Sequence, residues 1–203
     1  MGYVINPYVY VTSTPFENLY SMAFDGTDDM FAVNSLAASF QSENTFSISF
    51  WAKASYANLN PVVVISNGSN ASEALLFYAY DTNTGVKDAR IWYNGTSLIS
   101  TGNSSLSGWN HFCFVQDGAT DSKVYVNGSQ AGTSTTSKTM HSTLTNFSIG
   151  GTSDFSQYFN GNVDEVALFN SALSASDVTA IYNSGVPDDL TSYSPTAWYR
   201  MGD

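Results

Sequence analysis

Apolar and polar residues alternate with period two along much of the chain. In "FSISFWA" (46–52) Phe46, Ile48 and Phe50 fall on one face and Ser47, Ser49 and Trp51 on the other, the pattern of a strand with one buried side. "PVVVIS" (61–66), "ALLFYAY" (74–80), "ARIWYN" (89–94), "WNHFCFVQDG" (109–118), "SKVYVNGSQAG" (122–132), "LTNFSIGG" (144–151) and "FNGNVDEVALF" (159–169) continue the series between turn residues. Asn127-Gly128 predicts a hairpin, because both residue types tolerate positive φ. Many short strands at regular spacing predict two packed antiparallel sheets. One helix is expected over about 175–183. Ser174 caps it, Asp177 returns the capping bond, Leu173 staples onto Val178 and Gly185 supplies the left-handed stop. At roughly two turns it is too short to stand alone and must dock on a sheet. "VPDDLTSYSPT" (186–196) reads as a polar loop, and "AWYRMGD" as a closing strand or the opening of a further module.

Composition supports the all-β reading. The 203 residues include thirteen Tyr, thirteen Phe and four Trp but only four Glu and six Lys plus Arg. Aromatic residues suit pleated sheet faces, and a chain of this length removes about 70% of its unfolded surface from water without staples. The net charge of −11 leaves no basic stripe for nucleic acid or anionic membrane. Cys113 is alone, so no internal disulfide forms, and its apolar strand makes it a small buried hydrophobe. The N-terminal residues lack the basic and apolar regions of a signal peptide, and no apolar run is long enough to span a bilayer.

Asp164 and Glu165 stand side by side inside a strand pattern. Period two puts Asp164 with Val166 and Leu168, and Glu165 with Val163 and Ala167. An apolar-facing carboxylate needs compensation from backbone amides, a basic side chain or a metal ion. Basic partners are the scarcest of the three, whereas calcium accepts carboxylate and carbonyl oxygens. A second acidic source is "FDGTDDMF" (24–31), where Asp25, Asp28 and Asp29 surround Gly26. The plainer reading of Asp28 and Asp29 is a turn. Hydrolysis of a glycosidic bond needs two carboxyls across the scissile bond, and adjacent strand residues face opposite ways. His111 reads as a packed strand histidine rather than the base of a Ser-His or Cys-His pair.

"FDGTDD", "FSISFWAK", "WNHFCFVQDG", "VYVNG", "SIGG" and "FNGNVDEVALFNSALSASDVTAIYNSG" occur in an order that resembles laminin-G-like, concanavalin A-like lectin/glucanase domains over about residues 22–185. The resemblance implies an all-β antiparallel β-sandwich, a jelly roll with one short C-terminal helix, and a structural calcium ion. By analogy Asp25 and Asp164 are its candidate ligands, with nearby carbonyls, and Asp28 of the acidic turn is the third candidate. The division it suggests is an arm or added strand at 1–20, the domain at 21–185, and a loop with closing strand at 186–203.

The chain is also similar to lectin-like proteins of marine bacteriophages, down to its "YNSGVPDDL…SPTAWYRMGD" ending. This resemblance implies a non-catalytic virion protein (a capsid decoration, fibre or tail module) made in the host cytoplasm without an export signal. Its expected partners are other virion proteins, cell-surface polysaccharide and further copies of itself. The alternatives are an extracellular glycan-binding adhesion module of a bacterium and a glycoside hydrolase of the same fold. Trp92, Tyr93, Trp109 and Tyr158 are the aromatics available to stack on sugars, against a plainer role for each in core packing.

Overall fold

The computed structural model describes residues 16–55, 60–68, 74–81, 88–102, 106–152 and 156–202. Strands β1 (Met22–Asp25), β2 (Phe31–Ala32), β3 (Thr45–Ala54), β4 (Val63–Ser66), β5 (Ala74–Asp81), β6 (Asp88–Tyr93), β7 (Thr96–Ser100) and β8 (Asn110–Asp117) make up the first half. The second half holds β9 (Ser122–Val126), β10 (Ser129–Ser134), β11 (Asn146–Ile149), β12 (Gly151–Thr152), β13 (Gln157–Tyr158), β14 (Asn160–Phe169), helix α1 (Ala175–Tyr182) and β15 (Ala197–Tyr199). Among the described residues one antiparallel sheet runs β1-β14-β3-β8-β9-β10, with β15 also on β14, and a second runs β2-β11-β4-β5-β6-β7. The predicted sandwich is thus the observed one.

The core lies between the sheets. Phe46, Ile48 and Phe50 of β3, Phe112 and Phe114 of β8 and Val163, Val166 and Leu168 of β14 meet Ile65, Leu75, Phe77, Ile91 and Phe147 of the facing sheet. Their burial is the main driving force for the two layers to close. The alternate residues of the first sheet (Cys113, Val115, Tyr125, Ala167 and Phe169) form a second cluster on its outer face with Leu173, Val178, Ile181 and Leu190. Helix α1 docks there, as its two-turn length demands. Ser174 caps it with both capping-box bonds present, and Leu173 and Val178 share the cluster as the staple predicts. The stop differs: the left-handed residue is Asn183 (φ 45°), and Gly185 closes a short 3-10 turn behind it. Asparagine tolerates that conformation, so the left-handed stop comes two residues before the glycine.

Asn127 and Gly128 have φ of 50° and 74° and join β9 to β10 as a hairpin. Several elements had no period-two signal of their own: β1, β2, β7, β13 and the 3-10 helix Asn34–Phe40. Most are too short for alternation to register.

One register irregularity decides the site. Strand β14 pairs with β3 through Asp164↔Trp51 and then Ala167↔Ser49, so two β14 residues oppose the single Phe50. The extra residue is Glu165, in the left-handed region at φ 50°. This β-bulge resets the alternation. Val163 and Val166 both face the core, while Asp164 lies opposite Trp51 on the outer face, beside neither Val166 nor Leu168. The bulge also denies the two carboxylates their expected opposite faces. Glu165 binds Trp198, whose strand partner Ala167 is an outer-face residue.

Strand β1 occupies β14 from Asn160 to Val163, and β15 occupies the same edge from Val166 to Leu168. The bulge falls in the gap between them. Residues 1–15 of the expected arm lie outside the described residues. Residues 16–20 rest on this chain: Phe16 stacks on Trp198 at 5.9 Å, and Asn18 donates to Glu165 at 2.6 Å.

Candidate functional site

On the outer face of the first sheet, beside the bulge, lies a cavity of about 310 Å³ lined by Asn18, Leu19, Tyr20, Ser21, Trp51, Trp109, Asp164, Gly185 and Pro187. That size is at the lower end of small-molecule pockets, about 300–1,000 Å³. Its lining comes from five places: the segment leading into β1, the outer face of β3, the approach to β8, the bulged part of β14, and the turn that follows α1.

The floor is rigid. Trp51 is the one aromatic residue on a strand face otherwise given by Thr45, Ser47, Ser49 and Lys53, and it is buried. Its indole stacks on Tyr182 at 5.8 Å and tilts against the His111 ring at 5.3 Å. Tyr182 in turn rests on the β9–β10 hairpin, where a Cβ on Gly128 would meet its ring at 2.8 Å. Thr179 of α1 donates to the Gly128 carbonyl at 3.0 Å, and Asn127 joins the hairpin to β8 through the His111 amide and the Asn110 side chain.

The rim is exposed. Trp109 is 40% accessible, and Leu19 and Tyr20 are 67% and 63% accessible. Asp164 supplies the charge, only 4% accessible although it lines the cavity. One of its oxygens accepts the Glu165 amide at 2.8 Å. It is the single acid in the described lining, which contains no base.

Glu165 is committed elsewhere. Its carboxylate accepts Asn18 Nδ2 and Trp198 Nε1, and Arg200 Nε lies 3.6 Å away. Burial pushes its carboxyl above the usual range, and those partners pull it back. A basic side chain thus stands beside Glu165, in addition to two neutral donors. The Arg200 guanidinium also lies over the Phe16 ring at 4.5 Å and bonds the Glu17 carbonyl.

His111 is wholly buried, with Nε2 at 2.8 Å from Ser49 Oγ and Nδ1 without a partner. Burial lowers its pKa from 6.5 to about 3, so the ring is neutral. Trp51 and Tyr182 lie against it, and Ser49 is equally inaccessible. The pair holds β3 to β8 rather than presenting a nucleophile. Burial likewise raises the Cys113 thiol far above its ordinary range, consistent with an inert core cysteine.

The structure separates the three acids named as metal ligands. Asp25 and Asp28 gather with Asp29, their carboxylate oxygens within 4.8 Å of one another on an exposed loop. Asp164 is four residues along β14 from Asn160, the partner of Asp25. That offset is roughly 13 Å at a strand's rise, so Asp164 cannot share their ion. The loop is ordered by its own bonds: Asp25 accepts the Thr27 amide, Asp29 accepts the Asp25 amide, and Asn160 holds the Asp25 carbonyl. Three hard carboxylates with free lone pairs fit a divalent cation such as calcium.

Of the stacking candidates, Trp109 alone joins the cavity. Tyr93 is buried with its hydroxyl on the Thr139 carbonyl, Trp92 packs on Val64, Leu76 and Tyr78 outside the second sheet, and Tyr158 is half-buried. Asn18, Tyr20 and Trp51 were not singled out by sequence. Trp51 carried a usable signal, an indole interrupting a serine face.

The sequence profile described as the concanavalin A-like lectin/glucanases superfamily, laminin G type, matches residues 25–179. The chain belongs to this family. Among curated proteins none matches it. Solved structures share the fold at low identity. Domain 4 of AbnA, a GH43 extracellular arabinanase from Geobacillus stearothermophilus in complex with arabinotriose, is 22% identical with a TM-score of 0.58, covering 71% of this chain and 69% of that one. The CBM40 of the Ruminococcus gnavus IT-sialidase, bound to α2,3-sialyllactose, is 14% identical with a TM-score of 0.63 over 80% and 96% of the two chains. The NanB sialidase of Streptococcus pneumoniae is 17% identical with a TM-score of 0.58, and the match covers 83% of this chain but 28% of that one. The laminin G-type fold is thus one that carbohydrate-binding modules also use.

Proposed function

We propose that the protein is a non-catalytic glycan-binding module and that the Trp109–Asp164 cavity is its binding site. The observation that carries this reading is a nearly buried carboxylate and a part-exposed indole lining one cavity, on a fold shared with carbohydrate-binding modules. Trp109 and Tyr20 offer apolar faces to a sugar ring, and Asp164, Asn18 and Ser21 offer acceptors and donors to its hydroxyls. A single acid in the lining, among the described residues, supports binding over hydrolysis, which needs a pair. Trp109→Ala is expected to weaken oligosaccharide binding at least tenfold, measured by titration calorimetry, with an unchanged melting curve. Glycan binding indifferent to Trp109→Ala refutes the assignment. Polysaccharide turnover abolished by Asp164→Asn in a folded protein restores the hydrolase reading.

Calcium belongs to this proposal as a structural ion. Asp25, Asp28 and Asp29 would hold it and tie the end of β1 to the following loop, away from the glycan site. We assign the module to a virion surface, where it would contact other virion proteins; the Ser-, Thr- and Asn-rich, base-poor composition supports an exposed particle protein. Stoichiometric copies in purified particles are the expected result. Recovery only from the medium of a secreting bacterium favours the adhesion alternative instead.

A further inference from the structure

We infer that Glu165, Trp198 and Arg200 are positioning residues for the glycan site: without touching the ligand, they hold one wall of its cavity in place. The inference rests on the glycan-binding reading and adds what controls that site. The wall is the run from Asn18 to Ser21. Residues 16–21 form neither helix nor strand, and the pairing of this segment with β14 begins only at Met22. No ladder of a regular element therefore fixes the wall, and its Leu19 and Tyr20 are more than half exposed.

Side chains fix it instead, and they come from the bulge and from the C-terminal segment. Asn18 Nδ2 donates to Glu165 Oε1 at 2.6 Å, and Arg200 Nε lies 3.6 Å from that same oxygen. Trp198 Nε1 donates to the other oxygen, Oε2. The guanidinium also covers the Phe16 ring at 4.5 Å and donates to the Glu17 carbonyl. Phe16 stacks on Trp198, and a Cβ on Gly202 would meet Tyr20 Cβ at 2.9 Å. Among the described residues, Glu165, Trp198, Arg200 and Gly202 all lie outside the cavity lining. Glu165 is buried, so water competes little for its oxygens, and hydrogen bonds to an ionised acceptor are stronger than those to a neutral one. A wall held ready spares the ligand the cost of ordering it. If the wall is in place only about a tenth of the time, the apparent affinity falls about tenfold. By reciprocity, a bound glycan tightens the contacts that hold the wall.

The test screens the whole chain by calorimetry against a panel of neutral and acidic oligosaccharides, and the member that binds most tightly is the probe. Arg200→Met and Trp198→Phe should each weaken the probe about tenfold, and Arg200→Lys, which keeps the charge but not the planar fork, should recover part of the loss. Hydrogen exchange at the amides of residues 17–21 should quicken in the first two variants and slow when the probe binds the native protein. Ile65→Val, a core change in the facing sheet, lowers stability away from the wall and should leave affinity unchanged. Trp198→Phe keeps the test open should Arg200→Met fail to fold. Binding that is lost in Trp109→Ala but untouched in Arg200→Met and Trp198→Phe overturns the positioning role while leaving the glycan site standing. So does an equal weakening by Ile65→Val, or a weakening with amide exchange unchanged. Binding to no oligosaccharide overturns the site and the positioning role together.

Discussion

Acid should unfold this protein through His111. Its ring is fully buried and its pKa lies near 3 rather than 6.5. The unfolded chain takes up a proton as pH falls through 6.5, while the folded chain stays neutral until about 3. The unfolded state therefore binds more protons across that window, and stability falls as pH falls. At about 1.36 kcal/mol per pH unit, lowering the pH from about 7 to about 4.5 removes about 2.5 kcal/mol. Glu165 acts with the opposite sign. Its raised pKa lets the folded state hold a proton that the unfolded state has released, so above the ordinary carboxyl range its contribution grows as pH falls. Glu165 is common to wild type and to His111→Gln, so the difference between the two isolates the histidine. Urea unfolding at several pH values should give a wild-type stability that drops about 2.5 kcal/mol more than that of His111→Gln, whatever the variant's stability at neutral pH. Parallel pH curves for the two proteins refute the argument.

Three other outcomes follow from the same contacts. Gly128→Ala combines a left-handed φ of 74° with a Cβ 2.8 Å from Tyr182; it should destabilise by about 1–3 kcal/mol in chemical denaturation, and an unchanged midpoint refutes the contact. Arg200→Met leaves the buried Glu165 carboxylate with two neutral donors. Because the guanidinium is 30% accessible, the loss is expected at about 1–2 kcal/mol rather than the larger cost of breaking a fully buried pair. Adding Glu165→Gln should recover part of it, and additive losses refute the coupling. Chelation should lower the melting temperature of calcium-loaded protein, since calcium at a hundred times its dissociation constant stabilises by about 2.7 kcal/mol. Asp28→Asn with Asp29→Asn should abolish that difference, whereas a melting curve indifferent to chelator removes the ion.

The sandwich and its helix were readable because they rest on signals that survive locally. The alternation in β3 continues without interruption, so Phe46, Ile48 and Phe50 find the core as period two requires. Ser174 and Asp177 form a capping box from four consecutive positions, with no help from the rest of the fold. Asn127-Gly128 likewise carries its own turn chemistry. Short elements such as β1 and β2 are defined by the strands beside them: Met22–Asp25 is a strand because β14 offers it an edge. No residue within it announces that.

The site was legible only in pieces, and the bulge is the reason. Period-two reasoning assumes that every residue of β14 advances the alternation by one. Glu165, in the left-handed region, breaks that count, so the carboxylate assigned to the core emerges on the outer face. Glutamate is an unfavourable residue for that conformation. Here its side chain gathers what the backbone leaves apart, with Asn18 before β1, and Trp198 and Arg200 at β15, converging on the gap between two strands that share one edge. The same gap places residues 18–21 against Asp164 and Trp51 as one wall of the cavity. The adjacent acids thus divide the work: Glu165 joins the two ends of the described chain, and Asp164, displaced outward by the same irregularity, lines the cavity.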